Sequence, residues 1–221
     1  GGGGGPRGGL AGVAGTGESF RCGTQTSKSA IGYDLTRLLI GSEGTLAVIT
    51  EATLKLTPKP AARRSLRASY RDAASAAQAV ARIMAQPATP CALEFMDALA
   101  LKLAREHQPE AGVPEAAALL LIELDGTPDA LEAACAAVEA AARVEGLVQL
   151  EVARDEAQTR ALWAARKALS FAQRAVTQHK INEDVVVPVS RLPTLVDSVR
   201  ALSEKHAVPI VSFGHAGNGN L

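Results

Sequence analysis

The chain has 221 residues, 23 acidic and 23 basic side chains, and 47% hydrophobic residues. A net charge of zero gives the chain as a whole no electrostatic pull on nucleic acid or on an anionic membrane, and no apolar run approaches the roughly 20 residues that cross a bilayer. Aromatic residues make up only 3%, so alanine and leucine must fill the core, which suits helix-rich packing.

Cys22, Cys91 and Cys135 are odd in number, widely spaced and form no CxxC pair. They read as reduced, buried thiols of a cytoplasmic protein. The first residues are glycines rather than the basic segment and apolar core of a signal peptide. The chain starts without methionine and stops at Leu221 inside what reads as a motif, so both ends look cut.

Residues 1–17 form a glycine-rich arm, expected to lack order. Gly15 and Gly17 do not make a dinucleotide fingerprint, because Phe20 stands where a third glycine is needed and no strand precedes them. Residues 18–23 read as a short strand and turn. A Gly32-Tyr33-Asp34 turn follows, then an apolar segment over 35–40, the loop Gly41-Ser42-Glu43-Gly44-Thr45, and a strand over 46–56 rich in Val48, Thr50, Thr53 and Leu56. Two glycines three apart let backbone approach a ligand closely. The loop by itself reads more readily as an ordinary helix-to-strand turn. It is no nucleotide-triphosphatase loop, since no Gly-Lys-Ser/Thr follows at the required distance.

Pro58 and Pro60 mark a domain boundary. Beyond it the pattern predicts a strand at 66–70, a helix at 73–86 capped by Asp72, a strand at 91–96 and a helix at 97–107. A fully apolar strand over 117–124 precedes a helix from Thr127-Pro128 to Ala142, with proline in the first turn. A strand at 147–152, a long helix from Asp155 to about Thr177, a strand at 184–189, a helix at 192–206 and a strand at 209–213 complete the chain. The connections are short for crossovers, so an α+β sheet with helices on one face is expected rather than a doubly wound parallel sheet. The cluster Arg63, Arg64, Arg67 and Arg71 reads as a solvated edge.

Three features of the last third bear on chemistry. Arg166 and Ser170 are four apart and share a helix face, where a planar guanidinium backed by a hydroxyl suits a carboxylate. Lys180, Glu183 and Asp184 lie before an apolar segment. His215 sits after a strand in a loop holding Gly214, Gly217 and Gly219, a place where sites are often built.

The stretch GYDLTRLLIGSEGTLAVITEATLKLTPKP, residues 32–60, closely resembles the end of the FAD-binding domain in the flavin-linked D-2-hydroxy acid dehydrogenases, a family that includes glycolate oxidase, D-lactate dehydrogenase and D-2-hydroxyglutarate dehydrogenase. One departure is Ala47, where the family usually shows glycine. LWAARKAL resembles the family's Trp-x-x-Arg helix, HKINEDVVVPVSRLP its following segment, and FGHAGNGNL the start of its Gly-His-x-Gly motif. The resemblance implies a PCMH-type FAD-binding domain piece over 18–60 and a ferredoxin-like α/β substrate domain over 61–221. It places Gly41, Ser42, Gly44, Thr45 and Ile49 against FAD, Arg166 on a substrate carboxylate with Ser170 and Lys180 assisting, and His215 on a divalent metal such as zinc. The remaining ligands and the catalytic base would lie beyond Leu221.

The implied reaction is oxidation of a small D-2-hydroxy acid, with hydride passing to FAD and then to an electron acceptor. Partner subunits of an oxidase assembly are implied, and any membrane association would come through them; nucleic acid is not an expected partner. Most of the FAD site would lie upstream of residue 28, so the 221-residue chain alone is expected to hold FAD weakly and not to turn over. Two alternatives remain: an enzyme of the alkyl-glycerone-phosphate synthase branch, and a non-catalytic α+β subunit.

Overall fold

The computed structural model describes residues 8–24, 26, 32–176 and 181–221, with the side chains of residues 165, 170, 171 and 173–176 left aside. The chain divides into two compact units, Gly1–Lys59 and Pro60–Leu221.

The first unit holds strands β1 (Gly8–Ala14), β2 (Ser19–Thr24) and β3 (Ala47–Thr53) and helix α1 (Leu35–Leu39). Its antiparallel sheet runs β2-β1-β3. Residues 8–14, expected to belong to a disordered arm, therefore supply the central strand. Glycine content concealed this. Leu10 of β1 packs with Leu39 and Ala47 in a small core, and strands on both sides satisfy its backbone. Asp34 caps α1, its carboxylate accepting from the Arg37 amide at 3.1 Å.

The second unit alternates β4 (Ala62–Tyr70), α2 (Ala73–Ala85), β5 (Ala92–Asp97), α3 (Ala98–His107), β6 (Ala118–Gly126), α4 (Pro128–Ala142), β7 (Leu147–Val152), α5 (Glu156–Val176), α6 (Leu192–His206) and β8 (Phe213–Gly214). The sheet order is β7-β4-β6-β5-β8 and every neighbouring pair is antiparallel. The α+β class is as expected, but helices cover both faces rather than one. One core joins Leu66, Tyr70, Phe95, Leu120 and Ile122 of the sheet to residues of α2, α4 and α6, such as Val80, Val138 and Val196. The other joins Met96, Leu119 and Leu121 to Leu101 of α3 and Leu162 and Leu169 of α5. β6 is buried along both faces, which explains its unbroken apolar run. Burying each such side chain stabilises the fold by about 1.5–3 kcal/mol.

Two expected strands of the second unit are shorter than the pattern suggests. Over 184–189 a single bridge, Val186 to Asn220, remains, flanked by hydrogen bonds of Val185 with Leu221 and of the Val187 amide with Gly219 O. The segment expected as a strand over 209–213 contributes only Phe213–Gly214. Of the arginine cluster, Arg63 and Arg71 are exposed as a solvated edge requires, but Arg67 is not. Arg67 lies largely buried and makes two hydrogen bonds from its Nη2 to Glu151, at 3.1 and 2.9 Å.

Asp72 caps α2 as expected, accepting from the Ser75 amide at 2.6 Å. That backbone hydrogen bond, followed by lesser contributions from Ser75 and Arg71, holds its carboxyl below the usual carboxylate range. A depressed folded-state pKa contributes stability above the unfolded value, near pH 4, and loses it as pH falls through the folded value. Asp72→Ala is expected to cost about 0.5–2 kcal/mol at pH 7, and that difference should shrink as the pH falls below 4. Urea melts of both proteins at pH 7 and pH 3 test this; a difference that does not narrow at low pH overturns it.

The three cysteines are free, but Cys91 is exposed rather than buried. Partial burial of its sulfur, then the carboxylates of Asp125 and Glu123, push its thiol up to about 11. At pH 8 it should hold roughly 100-fold less thiolate than an ordinary cysteine. Alkylation by iodoacetamide, followed by mass spectrometry, is expected to be slow at Cys91 despite its exposure; labelling as fast as a free thiol would contradict this.

Candidate functional site

The strongest constellation lies at one edge of the second unit's sheet. β8 pairs with β5 in the register Phe95 to Gly214 and Met96 to Phe213, so His215 falls beside Glu94. Glu94 points to the same sheet face as Met96, the face covered by α3 and α5. Its side chain is only 7% exposed, and two partners meet it there. Arg166 on α5 donates from Nε to Oε2 at 2.9 Å. The Nδ1 of His215 bonds Oε1. A buried carboxylate requires such partners, since an unpaired charge inside protein is strongly destabilising.

Arg166 uses Nε for this bond, and its two terminal nitrogens have no hydrogen-bond partner among the described residues. The Phe213 ring lies 5.2 Å from the guanidinium carbon and covers one face of it. The His215 side chain is 65% exposed, and its Nε2 has no partner among the described residues. The edge therefore offers a half-buried cationic fork and an imidazole nitrogen, both anchored to one carboxylate.

Asp97 fixes the backbone at this edge. It caps α3 by accepting from the Ala100 amide at 2.8 Å, and its other oxygen accepts from the Ser212 amide at 2.6 Å. Burial raises its pKa, with the Ala100 and Ser212 amides opposing. The turn after β8 is held by hydrogen bonds from the Asn218 and Asn220 amides to His215 O and by pairing of Val187 with Gly219.

Two of the predicted site residues, Arg166 and His215, are thus brought together. Ser170 lies on α5, but its side chain is outside the described set, and Lys180 is outside the described residues. Glu94 and Phe213 escaped the sequence reading. A glutamate set between Leu93 and Phe95 on a buried strand was the available signal.

The residues predicted to meet FAD lie in the first unit. The backbone is left-handed at Gly41, Glu43 and Gly44. Ser42 and Thr45 close the turn: the Thr45 amide and hydroxyl both donate to Ser42 O, at 2.9 and 2.6 Å. The Glu43 and Gly44 amides have no partner among the described residues, and a Cβ at Gly41 or Gly44 would enter open space. Ile49 is 44% exposed, with Leu46 and Val48 exposed beside it. A flat, partly apolar cofactor fits such a loop and strand. A metal fits less well. Among the described residues no group of three His, Cys, Asp or Glu side chains could hold one, and a single imidazole is not a site.

Residues 59–221 match the family described as FAD linked oxidases, C-terminal domain, and the chain belongs to that family. It is 39% identical over 210 residues to the glycolate oxidase subunit GlcD of Bacillus subtilis (strain 168), covering 95% of this chain and 44% of that protein. It is 35% identical over 217 residues to a D-lactate dehydrogenase of Anaerostipes hadrus, covering 93% and 45%. The chain spans less than half the length of these relatives. A solved alkyldihydroxyacetonephosphate synthase shares the fold, with a TM-score of 0.63 at 18% identity over 96% of this chain and 44% of that one.

Proposed function

We propose that the protein carrying this chain oxidises a D-2-hydroxy acid, of the glycolate or D-lactate type, to the corresponding 2-oxo acid. The observation that carries this reading is the convergence of Arg166 and His215 on Glu94. A 2-hydroxy acid presents a carboxylate next to a hydroxyl, and the edge presents a cationic fork next to an imidazole. The terminal nitrogens of Arg166 take the carboxylate through two parallel hydrogen bonds. Phe213 walls one side of the guanidinium. His215 turns Nε2 toward the hydroxyl end and hydrogen-bonds there. FAD, held in part by the Gly41–Thr45 backbone and the Ile49 strand, supplies the hydride acceptor when bound.

Divalent metal at His215 stays a proposal without a step assigned to it, as does assistance from Ser170 and Lys180. The names of the relatives support hydroxy acid oxidation, and one is a subunit, which supports a partnered assembly and a separate electron acceptor. The synthase shares only fold at its level of identity. Anaerobic flavin absorbance, recorded while D- and L-2-hydroxy acids are added in turn, tests the reading. Bleaching by a D-acid and not by its mirror image is expected. A flavin band that no acid changes would refute it.

A further inference from the structure

We infer that Glu94 is the positioning residue of this site, setting both the orientation of the Arg166 fork and the nitrogen that His215 turns to substrate. The inference rests on the substrate reading above for its meaning, and on geometry for its content. An ionised carboxylate only accepts hydrogen bonds. Its contact with His215 Nδ1 therefore places the ring hydrogen on Nδ1 and leaves Nε2 as the nitrogen turned outward. Its contact with Arg166 goes to Nε at 2.9 Å. A carboxylate that took the terminal nitrogens would occupy the edge a substrate needs; one that takes Nε at the root holds the plane of the guanidinium and leaves that edge open.

The two contacts use different oxygens of one carboxyl group, so the arginine and the histidine are fixed relative to each other. Glu94 can do this because it stands on β5 inside the sheet, 5% exposed, between strands rather than on a loop. Asp97, three residues on, ties the backbone that leads into β8 to the same strand. β5 thus sets the side chains through one carboxylate and the chain path through another.

Glutamine separates this role from simple packing. Its volume matches glutamate, but it offers one acceptor oxygen and one NH2 donor, so it serves either Arg166 or His215 and presents a hydrogen to the other. In the flavin-loaded full-length protein, Glu94→Gln is expected to retain flavin. It should weaken binding of the 2-oxo acid product, read from perturbation of the flavin spectrum, at least tenfold, and slow anaerobic flavin reduction on the order of 100-fold. Glu94→Asp keeps both acceptors and should recover part of the loss. A second readout is independent of turnover: long-range 15N–1H spectra of histidine-labelled protein, with the His215 signal identified by its absence in His215→Gln. At a pH where the ring is neutral, the wild type should show the hydrogen on Nδ1, and Glu94→Gln should shift that balance.

The outcomes are distinct. If no hydroxy acid bleaches the wild-type flavin, the substrate reading fails while the tautomer still judges Glu94. If the acid bleaches the flavin but Glu94→Gln binds product and reduces flavin like wild type, the positioning role is overturned. If Glu94→Gln does not fold, the wild-type tautomer decides, and a hydrogen on Nε2 overturns the inference.

Discussion

Replacement of Arg166 by lysine in the flavin-loaded protein is expected to lower kcat/KM for the 2-hydroxy acid about 100-fold, mostly through KM. Lysine keeps the positive charge beside Glu94 but is a point donor. It cannot bond Glu94 at the root of the side chain and also offer two parallel donors to a carboxylate. Losing one charge-assisted hydrogen bond costs about 1.5–3 kcal/mol, and tenfold in a constant corresponds to about 1.4 kcal/mol. Arg166→Ala is a poorer probe, because it strands a carboxylate that is 7% exposed; breaking such a pair costs about 3–5 kcal/mol of stability. Stopped-flow reduction at varied substrate, with thermal melts of both variants, distinguishes the effects. A lysine variant with wild-type KM would remove Arg166 from substrate binding.

Gly219→Ala is expected to destabilise the second unit by about 3 kcal/mol and to displace His215 from Glu94. Gly219 has φ of 76°, a conformation costing an L-residue about 1–2 kcal/mol. A Cβ there would lie 1.9 Å from the Val187 carbonyl oxygen. That backbone cannot easily withdraw, since the Val187 amide donates to Gly219 O at 2.9 Å. Gly217→Ala is the useful contrast, because its Cβ would meet the Leu93 Cβ at 3.1 Å without positive φ, a contact that small shifts relieve. For a unit of this size, 3 kcal/mol corresponds to a fall of about 6–12 °C in Tm. Equal melting of the Gly219 variant and wild type would overturn the argument.

The parts legible in sequence were those with local causes. Asp72 stands before its helix as read and accepts from an amide three residues on; Asp97 and Asp155, read at the starts of theirs, do the same. The strand at 117–124 was visible from its apolar run, and the same run, read with its consequence, shows that helices must cover both faces. β1 was missed because five of its seven residues are glycine or alanine and carry little pattern. They form a strand through pairing with β2 and with β3, about 40 residues away. Arg166 and His215 were legible through motif resemblance. Glu94 was not, because its partners lie 72 and 121 residues distant, and nothing local reveals that a glutamate is buried and doubly bonded.

β8 joins the sheet through two residues, with Asp97 adding two bonds to Ser212, one accepted by its carboxylate and one donated by its amide. It is one of the two edge strands, whereas β4 and β6 share a ladder of nine residue pairs. Opening free energies across a protein range from near zero at lightly held edges to the global value in central strands. The amides at 212–215 should therefore exchange with solvent through a small detachment of this edge, well before β4 and β6 exchange. Each such detachment also parts His215 from Glu94, so the imidazole half of the site breathes while the Arg166–Glu94 half, seated on β5 and α5, stays assembled.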